Sequence, residues 1–252
     1  MKLCCIVSTY GRPQLLPRVI ACFEAQDYED RCMVILDDGG QYGPCEGDRW
    51  KLFSVPDRFQ SLGAKRNQTL ALVPHDTDAI LPTDDDDLFL PWHLSATAAA
   101  LENAEWSRPS VILTAHTIGD MWLFVANLTG HPLDQRQNRL YHPAWGMRLD
   151  MVRRLGGYPN HMSGPEDRDL MQRMEAAGVT TADPIELGFP PSYVYIWGQQ
   201  NISGLLTQQD QTGNIAWSRL ARTLSPVTLE KWTPPFDIRH PIMAPGIRKR
   251  PF

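Results

Sequence analysis

The stretch ILPTDDDDLFLP, residues 80–91, places four consecutive aspartates directly after a short apolar run. Aspartate is a poor strand former and a poor residue for a helix interior, and neighbouring carboxylates repel one another. A divalent cation commonly offsets such repulsion, because hard carboxylate oxygens suit Mg²⁺, Mn²⁺ and Ca²⁺. The alternative that the run alone leaves open is a solvated acidic turn.

Apolar runs and helical spacings on both sides of the aspartates alternate as in an α/β protein. Strands are predicted at residues 2–8, 33–40, 50–56, 79–83, 110–115, 121–127 and 193–197. Helices are predicted at residues 14–25, 62–73, 90–104, 149–157, 166–178 and 214–224. This order implies a mainly parallel, twisted sheet with helices on both faces.

Polar residues follow three of the predicted strands. Because ligands of parallel sheets bind beyond the carboxyl ends of the strands, we expect these residues to converge on one rim. They are Thr9, Tyr10 and Arg12 after the first strand, Asp37 and Asp38 after the second, and Asp84, Asp85, Asp86 and Asp87 after the fourth. Mg²⁺ and Mn²⁺ are typically held by one or two carboxylates and substrate phosphates, so the rim favours a metal diphosphate over a metal alone.

Two further sites carry candidate functional charges. Arg66 lies near the start of a predicted helix, where a positive charge is unfavourable for the helix macrodipole. A bound anion or a polar base would account for an arginine at this position. The alternative is an ordinary surface arginine. Glu166 and Asp167 begin another predicted helix, which acids stabilise by about 0.3–1 kcal/mol. Their functional interpretation is a general base that takes a proton from an acceptor hydroxyl.

Five motifs in this order and spacing resemble a family 2 glycosyltransferase with the GT-A (Rossmann-like) fold. They are IVSTYGRP at 6–13, VILDDGG at 34–40, GAKRNQ at 63–68, LPTDDDDLFLP at 81–91 and GPEDRDL at 164–170. The resemblance implies a single GT-A domain over residues 1–224, with a nucleotide-sugar-binding half (1–105) and an acceptor half (106–224) that includes a small antiparallel part. A proline-rich basic tail follows at residues 225–252.

The resemblance also implies which residues bind the nucleotide sugar. Its donor-side set in this sequence is Thr9 and Tyr10 beside the base, Asp38 and Arg66 on the base or ribose, Asp84 facing the ribose, and Arg12 and Asp85 in the same site. Asp86 would bind a Mn²⁺ or Mg²⁺ ion that bridges the diphosphate, while Asp87 would support the loop. A UDP-sugar is the favoured donor.

On the acceptor side, the resemblance implies inverting transfer of a hexosyl group by a single displacement. Asp167 matches the position of the general base, and Glu166 is the second candidate. One departure lies in YIWGQQNISGL at 195–205, where Asn201 occupies the place of a histidine that lies near the metal in many relatives. Asparagine is a neutral and weaker ligand, so metal affinity is expected to be lower.

Composition limits the remaining possibilities. The chain has 252 residues and a net charge of −5, so no global positive field points to nucleic acid. No apolar run approaches the ~18 residues that span a membrane, which favours a cytoplasmic protein. The acceptor is open: a glycan, a lipid-linked glycan, a protein or a nucleic acid base. The basic tail, with Arg239, Arg248, Lys249 and Arg250, is either a solubilising terminus or a weak contact for an anionic partner.

Three rival functions differ in what they require. A nucleotidyltransferase needs a glycine-rich signature after the first strand, which STYGRPQL at residues 8–15 does not supply. A non-catalytic nucleotide or glycan binder on the same fold is supported only by Asn201. A Ca²⁺-dependent binding module would use Asp84, Asp85, Asp86 and Asp87 without any nucleotide.

Overall fold

The computed structural model describes residues 1–43, 45–118, 121–128, 141–160 and 166–196. It contains two sheets, and β1 (Leu3–Thr9) is an inner strand of the larger one. The other strands are β2 (Arg31–Asp37), β3 (Cys45–Gly47), β4 (Trp50–Ser54), β5 (Ala79–Thr83), β6 (Leu88–Phe89), β7 (Trp106–Ser107), β8 (Val111–Ile118), β9 (Met121–Leu128), β10 (Gly146–Arg148), β11 (Thr181–Ala182) and β12 (Tyr193–Ile196). The eight-stranded sheet has the order β11-β7-β10-β5-β1-β2-β4-β3, and the four-stranded sheet has the order β6-β12-β8-β9.

Helices cover both faces of the larger sheet. They are α1 (Leu16–Glu24), α2 (Leu62–Leu72), α3 (His93–Leu101), α4 (Leu149–Arg154) and α5 (Glu166–Ala176). Alternate side chains of β1 enter two separate cores: Leu3, Cys5 and Val7 pack with α1 and α3, whereas Cys4 and Ile6 pack in the cluster that contains α4 and α5. A strand buried on both faces explains the continuous apolar run in the sequence.

The parallel register brings the carboxyl ends of three strands to one rim. Thr9 at the end of β1 pairs with Asp37 at the end of β2, and Val7 pairs with Thr83 at the end of β5. The four aspartates begin at the residue after Thr83. The chain therefore delivers them beside the end of β1, as the strand order in the sequence predicts.

The aspartates connect the two sheets. They lie between β5 of the larger sheet and β6 of the smaller one, and β6 pairs antiparallel with β12. In the smaller sheet β8 and β9 are also antiparallel, whereas β12 and β8 are parallel. The part of the chain after residue 105 contributes to both sheets: β7, β10 and β11 extend the larger one, and β8, β9 and β12 belong to the smaller one.

The predicted α/β fold, with a mainly parallel sheet and a small antiparallel part, is confirmed. Each predicted strand and each of the first five predicted helices has a counterpart in the structure. The sequence missed the strands β3, β6, β7, β10 and β11, which have two or three residues and are too short to show a periodic pattern. The helix predicted at 214–224 and the tail at 225–252 lie outside the described residues. Among the helices that are described, none combines the length and the hydropathy that a membrane span requires.

Candidate functional site

A cleft of about 820 Å³ opens at the carboxyl ends of β1, β2 and β5. It brings together the ten described residues that the sequence predicted for the site: Thr9, Tyr10, Arg12, Asp38, Arg66, Asp84, Asp85, Asp86, Glu166 and Asp167. Asp87, predicted for the same rim, also lines the cleft, whereas Asp37 is fully buried, accepts a hydrogen bond from the Ser54 hydroxyl and is not among the lining residues. Asn201 lies outside the described part of the chain. The convergence of these residues is a structural fact, and their individual roles toward a ligand stay predictions.

Asp85 is held inside the protein by β1 and the segment that follows it. The hydroxyl of Thr9 donates to Asp85 Oδ2 at 2.6 Å, and Arg12 Nη1 donates to Asp85 Oδ1 at 2.9 Å. The same Arg12 nitrogen lies 3.0 Å from Asp86 Oδ2. Burial raises the pKa of Asp85, and the contacts with Thr9 and Arg12 oppose that rise. Asp85 therefore fixes the aspartate loop and leaves little surface for direct contact with a nucleotide.

Asp87 ties the aspartate loop to the smaller sheet. Its Oδ2 accepts a hydrogen bond from the hydroxyl of Tyr193, and its Oδ1 accepts one from the backbone N–H of Ile196 at 2.8 Å. Both partners belong to β12. Burial and the charges of Asp86 and Asp84 raise the pKa of Asp87. These contacts agree with the expected role of Asp87 as a support for the loop.

Three carboxylates of the run could hold a cation. Oxygen atoms of Asp84, Asp86 and Asp87 lie within 4.8 Å of one another. The donor set consists of hard oxygens only, which fits Mn²⁺ or Mg²⁺. Asp87 already accepts two protein hydrogen bonds, so Asp84 and Asp86 offer the greater capacity for a metal.

Asp84 is the most exposed of the three, with 42% of its side chain accessible. Loss of hydration, together with the negative charges of Asp86 and Asp85, raises the pKa of Asp84 to about 7, while Arg66 opposes this shift. An ionised Asp84 is therefore costly at neutral pH. A cation bound at this position would relieve that cost, because an opposite charge favours the ionised carboxylate.

Arg66 of α2 connects the aspartates with the acidic pair at the start of α5. Its Nη1 forms a buried ion pair with Glu166 Oε1, and its Nη2 lies 3.6 Å from Asp84 Oδ1. The anion that the sequence led us to expect beside Arg66 is thus supplied by the protein itself. Close packing maintains the arrangement: a Cβ atom on Gly63 would lie 1.9 Å from the carbonyl oxygen of Pro159, so α2 approaches this segment only with glycine at that position.

Asp167 differs from Glu166 in its surroundings. Glu166 is engaged by Arg66, whereas the contact on Asp167 is a hydrogen bond of 2.7 Å from the backbone N–H of Arg168 to Oδ1. Burial and the charge of Glu166 raise the pKa of Asp167, and Arg66 opposes the rise. A raised pKa makes a carboxylate a stronger base, which is the property that a general base requires, and the role of Asp167 stays a prediction.

Lys65 is a member of the site that the sequence analysis missed. Its ammonium group contacts Asp38 Oδ1 and the carbonyl oxygen of Thr9, and Asp38 Oδ2 accepts from the backbone N–H of Phe59 at 3.1 Å. Asp38 is therefore engaged by the protein through both oxygens. Lys65 and Arg66 are both on the buried side of α2. Two cations on the buried face of a predicted helix are unusual, and this pattern in the sequence could have identified Lys65 as a site residue.

Arg58 and Tyr195 also line the cleft and were missed. The guanidinium carbon of Arg58 lies 3.6 Å from the centre of the Tyr10 ring, which is a close cation–π contact. Tyr195 belongs to β12, and its ring meets that of Tyr141 edge to face at 5.7 Å. No sequence pattern predicts which loop residue stacks on Tyr10, because that contact depends on the path of the loop between β4 and α2.

Neither the protein-family models nor the curated protein sequences contain a match to this chain. Solved structures do match. Residues 1–349 of Staphylococcus aureus TarS in complex with UDP-GlcNAc align with a TM-score of 0.61 and 15% identity, over 80% of this chain and 60% of that one. A mutant of Drosophila β1,4-galactosyltransferase 7, in complex with manganese, UDP-Gal and xylobiose, aligns with a TM-score of 0.50 and 13% identity, over 79% of this chain and 72% of that one.

These identities are low, so the alignments establish shared architecture rather than shared activity. The chain also spans only about 60% of the length of the TarS fragment that it matches. Within those bounds, the mostly parallel sheet flanked by helices matches the architecture of these glycosyltransferase structures. The protein has the GT-A fold of glycosyltransferases.

Proposed function

We propose that the chain is an inverting glycosyltransferase of the family 2 type, which transfers a hexosyl group from a nucleoside-diphosphate sugar, with a UDP-sugar as the favoured donor. The observation that carries the proposal is the single cleft lined by both the aspartate run and the Glu166–Asp167 pair. One set suits the donor diphosphate and the other suits an acceptor hydroxyl. Structural neighbours in complex with UDP, UDP-GlcNAc and UDP-Gal support this choice of donor.

On the donor side, Asp86 and Asp84 would hold a Mn²⁺ or Mg²⁺ ion. When bound, the ion would neutralise the charge that develops on the departing diphosphate. Asp85 and Arg12 keep the loop that carries both ligands in place. Asn201 is proposed as a further, weaker metal ligand on the strength of its position in the sequence alone.

The remaining donor contacts would come from the ends of β1 and β2. Tyr10 has an exposed ring that suits a nucleobase, since 44% of its surface is accessible. Thr9 would border the base beside it. Asp38 and Arg66 would meet the base or the ribose while they keep their bonds to Lys65 and Glu166. Each carboxylate and guanidinium has hydrogen-bonding capacity beyond these protein contacts.

On the acceptor side, Asp167 would take the proton of the attacking hydroxyl. The acceptor oxygen would then bond to the anomeric carbon on the face opposite the diphosphate, and the bond to the diphosphate would break. The configuration at that carbon is inverted by such a single displacement. Glu166, neutralised by Arg66, would orient this part of the site rather than act as the base.

Binding and turnover test the function separately. Thermal shifts with UDP, GDP, dTDP and CMP, each with and without Mn²⁺, should reveal one diphosphate that stabilises the protein only with the metal. At a hundred times its Kd a ligand adds about 2.7 kcal/mol, or roughly 5–10 °C. Asp86→Asn should remove the metal-dependent shift, whereas Asp48→Asn, on a carboxylate whose side chain is 90% exposed, should keep it.

Three other outcomes would point elsewhere, once Ca²⁺ alone and UDP-sugars are added to the panel and release of UDP from the UDP-sugars is followed. Stabilisation by Ca²⁺ without nucleotide synergy would favour a calcium-binding module. Binding of UDP-sugar without release of UDP over long incubation would favour a non-catalytic binder. Stabilisation by no nucleotide at all, with or without metal, would refute the proposed function.

A further inference from the structure

Arg58 differs from the other cations of the cleft. Among the residues that the structure describes, seven carboxylates and four cations line the cavity. Three of the cations form ion pairs with carboxylates: Arg12 with Asp85 and Asp86, Lys65 with Asp38, and Arg66 with Glu166 and Asp84. Arg58 lies over the ring of Tyr10 instead, and none of the carboxylates in the described residues is within ion-pair distance of it.

The backbone around Arg58 is anchored on both sides. The N–H of Val55 donates to the carbonyl of Asp37 at 2.9 Å, and the N–H of Phe59 donates to Asp38 Oδ2 at 3.1 Å. Two residues further, Ser61 caps α2 by accepting from the N–H of Ala64 at 3.1 Å. The Arg58 side chain can therefore change its position without a movement of the loop.

The contact between Arg58 and Tyr10 is easily exchanged. Both side chains are exposed. An exposed cation–π contact is weak, whereas paired hydrogen bonds from a guanidinium to a phosphate are among the stronger polar contacts in proteins. A diphosphate that entered the cleft would offer Arg58 a better partner than the aromatic ring.

A diphosphate also needs such a cation. The described lining has more carboxylates than cations, and three of the four cations in it are already neutralised by carboxylates. An anionic ligand would therefore meet a repulsive field that the metal site at Asp84 and Asp86 offsets only in part. Arg58 is the described cleft cation whose charge is not yet matched.

On the basis of the nucleotide-sugar function proposed above, we propose that Arg58 is a ligand of the donor diphosphate. It leaves the ring of Tyr10 when the nucleotide binds, and the ring face that it covered then receives the base. One side chain thus contributes twice to donor recognition. It protects the stacking surface in the empty protein, and it supplies charge to the leaving group in the complex.

The test compares UDP with uridine, which has the base and ribose but no phosphate. Affinities for both would be measured with Mn²⁺ present, by calorimetry for UDP and by ligand-observed NMR for uridine. Arg58→Gln should weaken UDP binding about tenfold or more, as expected for loss of a charge-assisted contact. Uridine binding should stay the same or become tighter, because the ring of Tyr10 is then uncovered. Arg58→Lys, which keeps the charge but not the paired geometry, should give an intermediate loss for UDP.

The controls separate this assignment from the wider function. Arg153→Gln, at an exposed arginine of α4 outside the cleft, should leave both affinities unchanged. Equal losses of UDP and uridine in Arg58→Gln would mean that Arg58 serves the base or the fold, and an unchanged UDP affinity would mean that it binds no phosphate. Either result overturns the role of Arg58 alone. A wild-type protein that binds neither ligand overturns the proposed function as well.

Discussion

Arg66 of α2 and Glu166 of α5 form a buried ion pair between residues that are 100 positions apart in the sequence. The same guanidinium reaches Asp84, so one side chain contacts both the aspartate run and the acidic pair. The position of Asp167, which follows Glu166 at the start of α5, is thereby set from the opposite wall of the cleft. Donor-side and acceptor-side groups are consequently parts of one electrostatic unit.

Loss of Arg66 should destabilise the protein strongly. Arg66→Met leaves Glu166 buried without its partner, and removal of one member of a buried ion pair typically costs about 3–5 kcal/mol. Chemical denaturation would measure the loss. The double variant Arg66→Met with Glu166→Met should recover a large part of it, because the buried carboxylate of Glu166 is then no longer left without its partner.

Additive losses in the double variant would contradict this view of the pair. They would mean that each side chain stabilises the fold through its own packing, for example the stacking of Arg66 over Tyr158 with 5.5 Å between the guanidinium carbon and the ring centre. Arg154→Met is the matched control, since its ion pair with Glu105 lies on the surface. Exposed pairs contribute little, so this change should stay within about 1 kcal/mol of wild type.

Removal of one charge from the aspartate run should stabilise the protein while it disables the proposed metal site. The pKa of Asp84 is raised to about 7, so above that pH the folded state carries a charge that it disfavours. Because water screens part of the repulsion on the 42% exposed side chain, Asp84→Asn should increase Tm only slightly at pH 8 in metal-free buffer with a chelator. The gain should fall as the pH is lowered toward the ordinary pKa of aspartate, because wild-type Asp84 then becomes neutral in the folded protein.

Asp48→Asn provides the comparison, because its carboxylate is exposed and removal of its charge should leave the pH dependence of Tm unchanged. A lower Tm for Asp84→Asn at pH 8 would show that the attraction between Asp84 and Arg66 outweighs the repulsion from the neighbouring aspartates. Addition of Mn²⁺ should raise the Tm of wild type above that of Asp84→Asn, since only the wild type keeps both proposed metal ligands.

The parts of the fold that the sequence predicted are those with a strong local pattern. The strands β1, β2 and β5 are covered on both faces, so their apolar runs are continuous, and parallel pairing then fixes where the following polar residues meet. This rule predicts from the sequence that Thr9, Asp38 and the aspartates lie on one rim. The strands β7, β10 and β11 carry no such pattern, because two or three residues join the sheet through tertiary contacts alone.

The details of the site depend on distant contacts that no local pattern encodes. Four adjacent aspartates are chemically identical in the sequence, yet Thr9 and Arg12 engage Asp85, whereas β12 engages Asp87. Only the fold distinguishes their roles. The same is true of Arg58, whose place on the Tyr10 ring follows from the course of a surface loop.

Removal of the proposed base should abolish transfer and preserve donor binding. Asp167→Asn keeps the shape of the side chain but cannot accept a proton, and such a loss typically lowers turnover by about 10²–10⁴-fold. Release of UDP from UDP-sugars, with water as the acceptor, would measure turnover. The Mn²⁺-dependent thermal shift with UDP should remain that of wild type. Wild-type turnover in Asp167→Asn would remove Asp167 from the mechanism, and Glu166→Gln would then test the second candidate.

The same assay can locate the proton acceptor through its pH dependence. Burial and Glu166 raise the pKa of Asp167, so wild-type turnover should begin to fall on acidification at a higher pH than an ordinary aspartate would give. Glu166→Gln removes the neighbouring charge and should move that limit to lower pH. Asp169→Asn, on the same helix but not among the residues lining the cleft, is the control and should leave the profile unchanged.

A buried histidine should make the fold sensitive to acid independently of the cleft. His93 of α3 contacts the hydroxyl of Ser192 at 2.9 Å, and burial lowers the pKa of His93 to about 4. Between the ordinary histidine pKa of about 6.5 and that value, the unfolded chain binds a proton that the folded chain excludes. The free energy of unfolding should therefore fall with decreasing pH, by up to about 1.4 kcal/mol per pH unit from this group.

His93→Gln should remove that component in denaturation curves recorded from pH 7 to 4.5, while His75→Gln, at an exposed site, should follow wild type. Parallel curves for His93→Gln and wild type would show that His93 takes up its proton equally in the folded and unfolded states, which would refute this prediction.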